Sequence, residues 1–150
     1  MSEVSPPAPS EDEGQGALSG PGPVDAPSRD DATAVDRSVL ISLLAFLGDR
    51  APAAEGRLID TYLRELPRIV ARLQEALPEG DQESLHRGAH TLKSSSANVG
   101  ALRLSALCAE LEARTADVIH GDAAHATAEI ARESERVAHA LTARRHELPG

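Results

Sequence analysis

The sequence predicts an all-α protein, an up-and-down four-helix bundle with a short additional helix at its N-terminal side. Apolar residues recur at intervals of three and four along several long stretches. Gly and Pro fall between those stretches, and no run alternates in the manner of a strand or closes a hairpin. Hydrophobic residues make up 41% of the 150, yet there is one Phe, one Tyr and no Trp. The core is therefore built from Leu, Val, Ile and Ala, a composition that suits packed helices better than a sheet sandwich.

Residues 1–34 are rich in Pro, Gly, Ser and acids, hold almost no large aliphatic side chains and show no period, which predicts a disordered tail, with the bundle over 35–150. The tail carries seven acids against Arg29, a net of −6, so only −3 of the chain's −9 belongs to the rest. A short first helix follows, with Asp36 or Ser38 as N-cap, Val39, Leu40, Leu43, Leu44 and Leu47 at helical spacing, and Gly48 as its stop. Beyond the polar break at 48–50, Leu58, Tyr62, Leu66, Ile69, Val70, Leu73 and Leu77 form a long stripe suited to a bundle core. Pro67 lies inside it and predicts a kink or break.

Pro78 and Gly80 punctuate the chain, and a third helix is expected over about 81–99, with Leu85, Ala89, Leu92, Ser96 and Val99 facing inward and Gly100 at its end. The fourth, from about Leu102, buries Leu104, Leu107, Cys108, Leu111 and Val118. The fifth, from about Ala123 to Arg144 after Gly121, buries Ile130, Val137 and Leu141 and has the weakest stripe.

A net charge of −9 repels phosphate backbones and anionic lipid, which argues against nucleic acid and membrane surfaces as partners. The run from Val39 to Leu47 is too short to span a bilayer, which takes roughly 20 apolar residues. One cysteine cannot close an intramolecular disulfide, and the first residues lack the pattern of a secretion signal, so a cytoplasmic setting is expected. Cys108 falls on an apolar stripe and reads as a small buried hydrophobe.

On the third helix, turning about 100° per residue, His90 falls about 140° from the Leu85 stripe and so faces solvent. Lys93 stands one turn on, Arg87 one turn back, and Ser94 and Ala97 leave the surface open. A neutral imidazole is nucleophilic at one nitrogen, and a neighbouring cation balances charge on an incoming phosphoryl group. Of the fifteen basic residues, Lys93 is the sole Lys, a compact charge on a mobile stem where Arg would give a fixed fork. His86 and His90, four apart, could chelate a metal, but no Glu follows His86 and no third ligand stands at a suggestive spacing. His120, His125, His139 and His146 read as ordinary polar or helix-end positions. No Gly-rich phosphate loop, nucleotide motif or paired nucleophile and base is present. The chain is therefore expected not to be an enzyme that phosphorylates itself from ATP.

The segment Ala89-His90-Thr91-Leu92-Lys93-Ser94-Ser95-Ser96-Ala97-Asn98-Val99-Gly100-Ala101, followed by Leu104, Leu107, Cys108, Leu111 and Glu112, resembles the signature of histidine phosphotransfer (HPt) domains. The likeness extends loosely to Tyr62, Leu63, Leu66 and Pro67 and covers roughly 36–145. It implies that His90 accepts a phosphoryl group from a receiver-domain aspartyl phosphate and passes it to another response regulator. By the same resemblance Lys93 supports the phosphoryl charge and Gly100 closes the helix pair, while His86, Arg87, Ser94 and Ala97, placed around His90 by helical geometry, are expected to meet the partner. The implied partners are response-regulator receiver domains and a hybrid sensor histidine kinase, with the chain a monomer. The receiver supplies Mg²⁺, so the chain is expected to have no cofactor or metal of its own. Ser94 stands where the family often has Gly, which bears on how closely a partner's backbone approaches. The alternative is a bundle that docks and sequesters receivers without carrying phosphate.

Overall fold

The computed structural model describes residues 33–115 and 120–149, with side chains for all of these but 120–122. Nearly all of the tail expected over 1–34 lies outside the described residues, as does Val118. Among the described residues the chain forms α1 (Arg37–Leu44), a 3-10 turn (Ala45–Arg50), α2 (Ala51–Glu79), α3 (Gln82–Asn98), α4 (Leu102–Arg114) and α5 (His120–His146), and no strand. Helix α2 packs on α3 and α5, and α4 packs on the same two. That is the expected four-helix bundle, with α1 as the short extra helix against α2.

Local chemistry fixes the helix ends. Asp36 caps α1, its carboxylate accepting from the Ser38 amide at 3.0 Å and hydroxyl at 2.6 Å. Asp81 does the same for α3 through Ser84, at 3.1 and 2.7 Å. Helix α2 ends on Gly80, whose φ of 65° is the left-handed cap that glycine adopts without cost.

One expectation for α2 holds and one is corrected. The helix starts at Ala51, with Pro52 in its first turn where a missing amide hydrogen costs nothing, directly after the expected break at 48–50, where Gly48 has the non-helical angles φ 57° and ψ −123°. The helix is not broken at Pro67, which is exposed and turns its ring away from the core. The core phase is Ile59, Tyr62, Leu66, Ile69, Leu73 and Ala76, all buried, whereas Leu58 is one residue out of phase and exposed. In α1, similarly, Leu40 and Leu44 are buried but Leu43 is exposed.

The other stripes are as expected. Leu85, Ala89, Leu92, Ser96 and Val99, then Leu104, Leu107, Cys108 and Leu111, then Ile130, Val137 and Leu141 are all buried. Burying a Leu of this kind stabilises by about 1.5–3 kcal/mol. Ser96 is tolerated because its hydroxyl is hydrogen-bonded to that of Tyr62 at 2.7 Å, and burial raises the Tyr62 pKa. Burial also pushes the Cys108 thiol up to about 12, which keeps it protonated and inert.

At one end of the bundle Arg144 grips the buried Glu55 with two bonds of 2.6 and 2.8 Å, tying α5 to α2. Glu147 extends this network by pairing with Arg144 at 3.2 Å and Arg37 at 2.9 Å, which brings in α1.

Candidate functional site

Helices α3 and α4 meet in the turn Val99-Gly100-Ala101. Ala101 N–H donates to the Ser96 carbonyl at 2.8 Å and Gly100 N–H to that of Ala97 at 3.2 Å, the paired bonds of a Schellman cap. Gly100 has φ 85°, and a Cβ there would collide with the Asp36 carbonyl oxygen. Glycine is thus required twice, by conformation and by the close passage of the segment leading into α1. Asp36 N–H donates to the Gly100 carbonyl at 2.8 Å, and Ala34 and Val35 are buried beside it. The resemblance gave Gly100 only the closing of the helix pair.

This tight turn sets two antiparallel helices in register, so residues roughly equidistant from Gly100 stand level. Ser105 donates to the Lys93 carbonyl at 2.8 Å, His86 Nδ1 lies 3.1 Å from Thr115 Oγ1, and Glu112 comes level with His90. The His90 side chain is 61% exposed, as its helical position predicted. Its Nδ1 is 2.8 Å from Glu112 Oε2, and Lys93 Nζ donates to Glu112 Oε1 at 2.6 Å. His86 Nε2 stands 3.7 Å from the same Oε2. One carboxylate thus gathers three basic side chains, and hydrogen bonds from Lys93 and then His90 hold its pKa below the usual carboxylate value.

The arrangement has a definite chemical consequence. A carboxylate only accepts, so the neutral His90 ring carries its proton on Nδ1 and leaves the Nε2 lone pair free on the exposed edge. Sequence reasoning did not assign Glu112 to the site. Its signal was the symmetry of positions about Gly100, which becomes usable only once the turn is known to be tight. Of the expected docking residues, His86 and Ser94 are exposed and Ala97 is partly so. Arg87 is drawn back to Glu83 at 2.6 Å and is not bonded to His90. The metal reading gains a nearby carboxylate in Glu112, but Lys93 occupies its other oxygen. Among the described residues no group of three or more His, Cys, Asp or Glu is arranged to hold a metal ion.

The sequence model of the Hpt domain matches residues 57–148, most of the chain and all of this site. The chain belongs to the Hpt domain family. Its structure is similar to that of histidine-containing phosphotransfer protein B from Pseudomonas aeruginosa PAO1, at 28% identity and a TM-score of 0.68, covering 77% of this chain and 97% of that one. It is also similar in fold to the HPT domain of a sensor hybrid histidine kinase from Shewanella, at 20% identity and a TM-score of 0.68, covering 79% and 99%. No curated protein matches the chain at a significant level. As an Hpt domain, the chain is a phosphocarrier of two-component phosphorelays that works by histidine phosphotransfer. No helix among the described residues is long and apolar enough to cross a membrane.

Proposed function

We propose that His90 is the residue that carries the phosphoryl group, with Nε2 as the attacking atom. The observation that carries this reading is the bond between His90 Nδ1 and Glu112, which leaves Nε2 as the free, outward nitrogen. Nε2 attacks the phosphorus of a receiver's aspartyl phosphate, the N–P bond forms as the P–O bond to the aspartate breaks, and the aspartate leaves as a carboxylate. The ring becomes positively charged while the phosphoryl group sits on Nε2, and the Glu112 carboxylate against Nδ1–H stabilises that charge. Lys93 reaches from Glu112 to the phosphoryl oxygens during transfer. Onward transfer to a second receiver is the same step reversed.

The receiver docks over the face that holds His86, Arg87, Ser94 and Ala97. The apolar groove between α2 and α3, lined by Leu58, Leu66, Ile69 and Thr91, continues that face beside His90. The receiver brings the Mg²⁺ that the reaction uses, the chain binds no cofactor of its own, and it acts as a cytoplasmic monomer that does not take phosphate from ATP.

Incubation with a phosphorylated receiver should place acid-labile phosphate on the wild-type chain and none on His90→Gln, whose melting temperature should be unchanged because the side chain is exposed. Phosphate on the variant, or on another histidine by mass spectrometry, would overturn the assignment.

A further inference from the structure

Helix α2 presents a stripe of arginine to solvent. Arg57, Arg64, Arg68 and Arg72 are all exposed and lie within about 80° of one another around the helix axis, and Arg50 at the N-cap continues the stripe one step back. The stripe from Arg57 to Arg72 is about 22 Å long at the helical rise. Elsewhere arginines sit against carboxylates: Arg37 on Glu147, Arg87 on Glu83, Arg103 and Arg136 on Glu133, Arg144 on Glu55, Arg145 on Asp60. On the stripe only Arg68 has one, Glu65 at 3.8 Å, and Arg64 has no more than the Thr61 hydroxyl at 3.5 Å. The side chains of Arg50, Arg57 and Arg72 have no ionic or hydrogen-bond partner among the described residues. Like charges four apart, as at Arg64, Arg68 and Arg72, destabilise a helix by a few tenths of a kcal/mol per pair. Anions that come to the face relieve that repulsion.

We infer that the stripe is the docking site of the chain's own acidic leader, residues 3–31. The leader holds seven acids against one Arg, including the run Glu11-Asp12-Glu13, in a domain whose remaining net charge is −3. The leader also starts in the right place. Asp36 is bonded to Gly100 at the C-terminal end of α3. That end lies level with Leu58 and Tyr62, because Asn98 and Val99 line a groove with them, so the described residues that follow the leader lie beside the N-terminal half of α2. The twenty links from Glu13 to Thr33 can reach up to about 65 Å, enough to pass along the whole stripe. Arg72 shares a groove with Arg87 and Thr91, the neighbour of His90. A leader seated on the stripe therefore runs along the edge of the face on which His90 lies.

The test uses the full chain. Cys108 is fully buried, so a thiol-reactive nitroxide on a Ser10→Cys chain goes to position 10 alone. In low salt, amide signals from Arg57 to Arg72 should lose most of their intensity while those on the exposed face of α5 keep theirs. The loss should disappear in about 0.5 M salt, where the Debye length is roughly 4 Å. It should also disappear with Arg64→Glu, Arg68→Glu and Arg72→Glu combined, and with Glu11→Gln, Asp12→Asn and Glu13→Gln, which leave α2 untouched. Even or absent broadening along α2, or broadening that survives both sets of substitutions, would overturn the proposal. So would broadening that arises only between molecules, in a mixture of isotope-labelled chains without nitroxide and unlabelled chains with it, since the occupant would then be a second copy.

Discussion

Two ionic networks in this protein are built from the same parts and serve different ends. At the α2–α5 end, Glu55 is buried and takes both bonds from Arg144, a residue that is itself mostly covered. Between α3 and α4, Glu112 also spends both oxygens, but on two different partners, Lys93 and an exposed His90. The first network is a fork on a fork, fixed in direction and shielded from water, so it holds elements together. The second is a single carboxylate shared by groups that can each leave it, at a surface where water replaces any bond that opens. Surface pairs of this kind add little to stability. What they can set is a tautomer, a ring orientation and a reserve of positive charge. Burial, more than the identity of the ion pair, decides which role a network takes.

The sharpest test of the contrast strikes the joint between the two regions. Gly100→Ala should cost about 2–4 kcal/mol, from a left-handed backbone angle and a collision with the Asp36 carbonyl. Because that turn also sets the register of Glu112 against His90, phosphoryl acceptance should fall in the molecules that remain folded. Denaturant melts and transfer assays on the same samples would show both effects, and a loss of stability with unaltered transfer would separate the turn from the site.

Removing the buried clamp should affect stability alone. Glu55→Ala leaves Arg144 without its main partner and should cost about 2–3 kcal/mol, toward the lower end for a broken buried pair because Arg144 keeps Glu147 and some solvent. Transfer per folded molecule should equal that of the wild type. Lys93→Ala should give the reverse pattern. Stability should change by about 0.5 kcal/mol, as for other surface substitutions, while transfer at saturating phosphorylated receiver slows roughly tenfold or more. Lys93→Arg should restore only part of the rate, since the planar fork follows a moving group less freely. An unchanged rate in the Ala variant would return Lys93 to the status of an ordinary surface residue.

The smallest effect is in pH. Glu112 and Glu147 both titrate below the ordinary value of 4.5, held down first by the bonds from Lys93 and from Arg37 respectively. A carboxylate lowered in the folded state contributes stability above its unfolded pKa and loses it as pH falls through the folded one. Acidification below about 4.5 should therefore weaken both networks modestly. Carbon-detected NMR of the carboxyl groups should show both titrating below 4.5. In Lys93→Ala, Glu112 should move back toward 4.5 and Glu147 should not.

By itself the sequence determined the class of fold, the sides of α3, α4 and α5 that face inward, and the exposure of His90, because each depends on helical period and side-chain polarity within one segment. The resemblance carried by residues 89–112 likewise lies in adjacent residues and was readable without a structure. Helix phase failed where the apolar pattern was too rich to be unique, as at Leu58 beside Ile59 and Leu43 beside Leu44, and only packing against neighbours chose between them. Pro67 does not end α2, because packing of the stripe on both sides of it holds the helix through the one backbone bond that proline removes. Tertiary structure alone decided the partnership of Glu112 with His90 and Lys93, the double need for glycine at position 100, and the pairing of Glu55 with Arg144 across 89 residues. Each joins groups distant in sequence through the angle of a turn or the docking of two helices, and local periodicity carries no information about either.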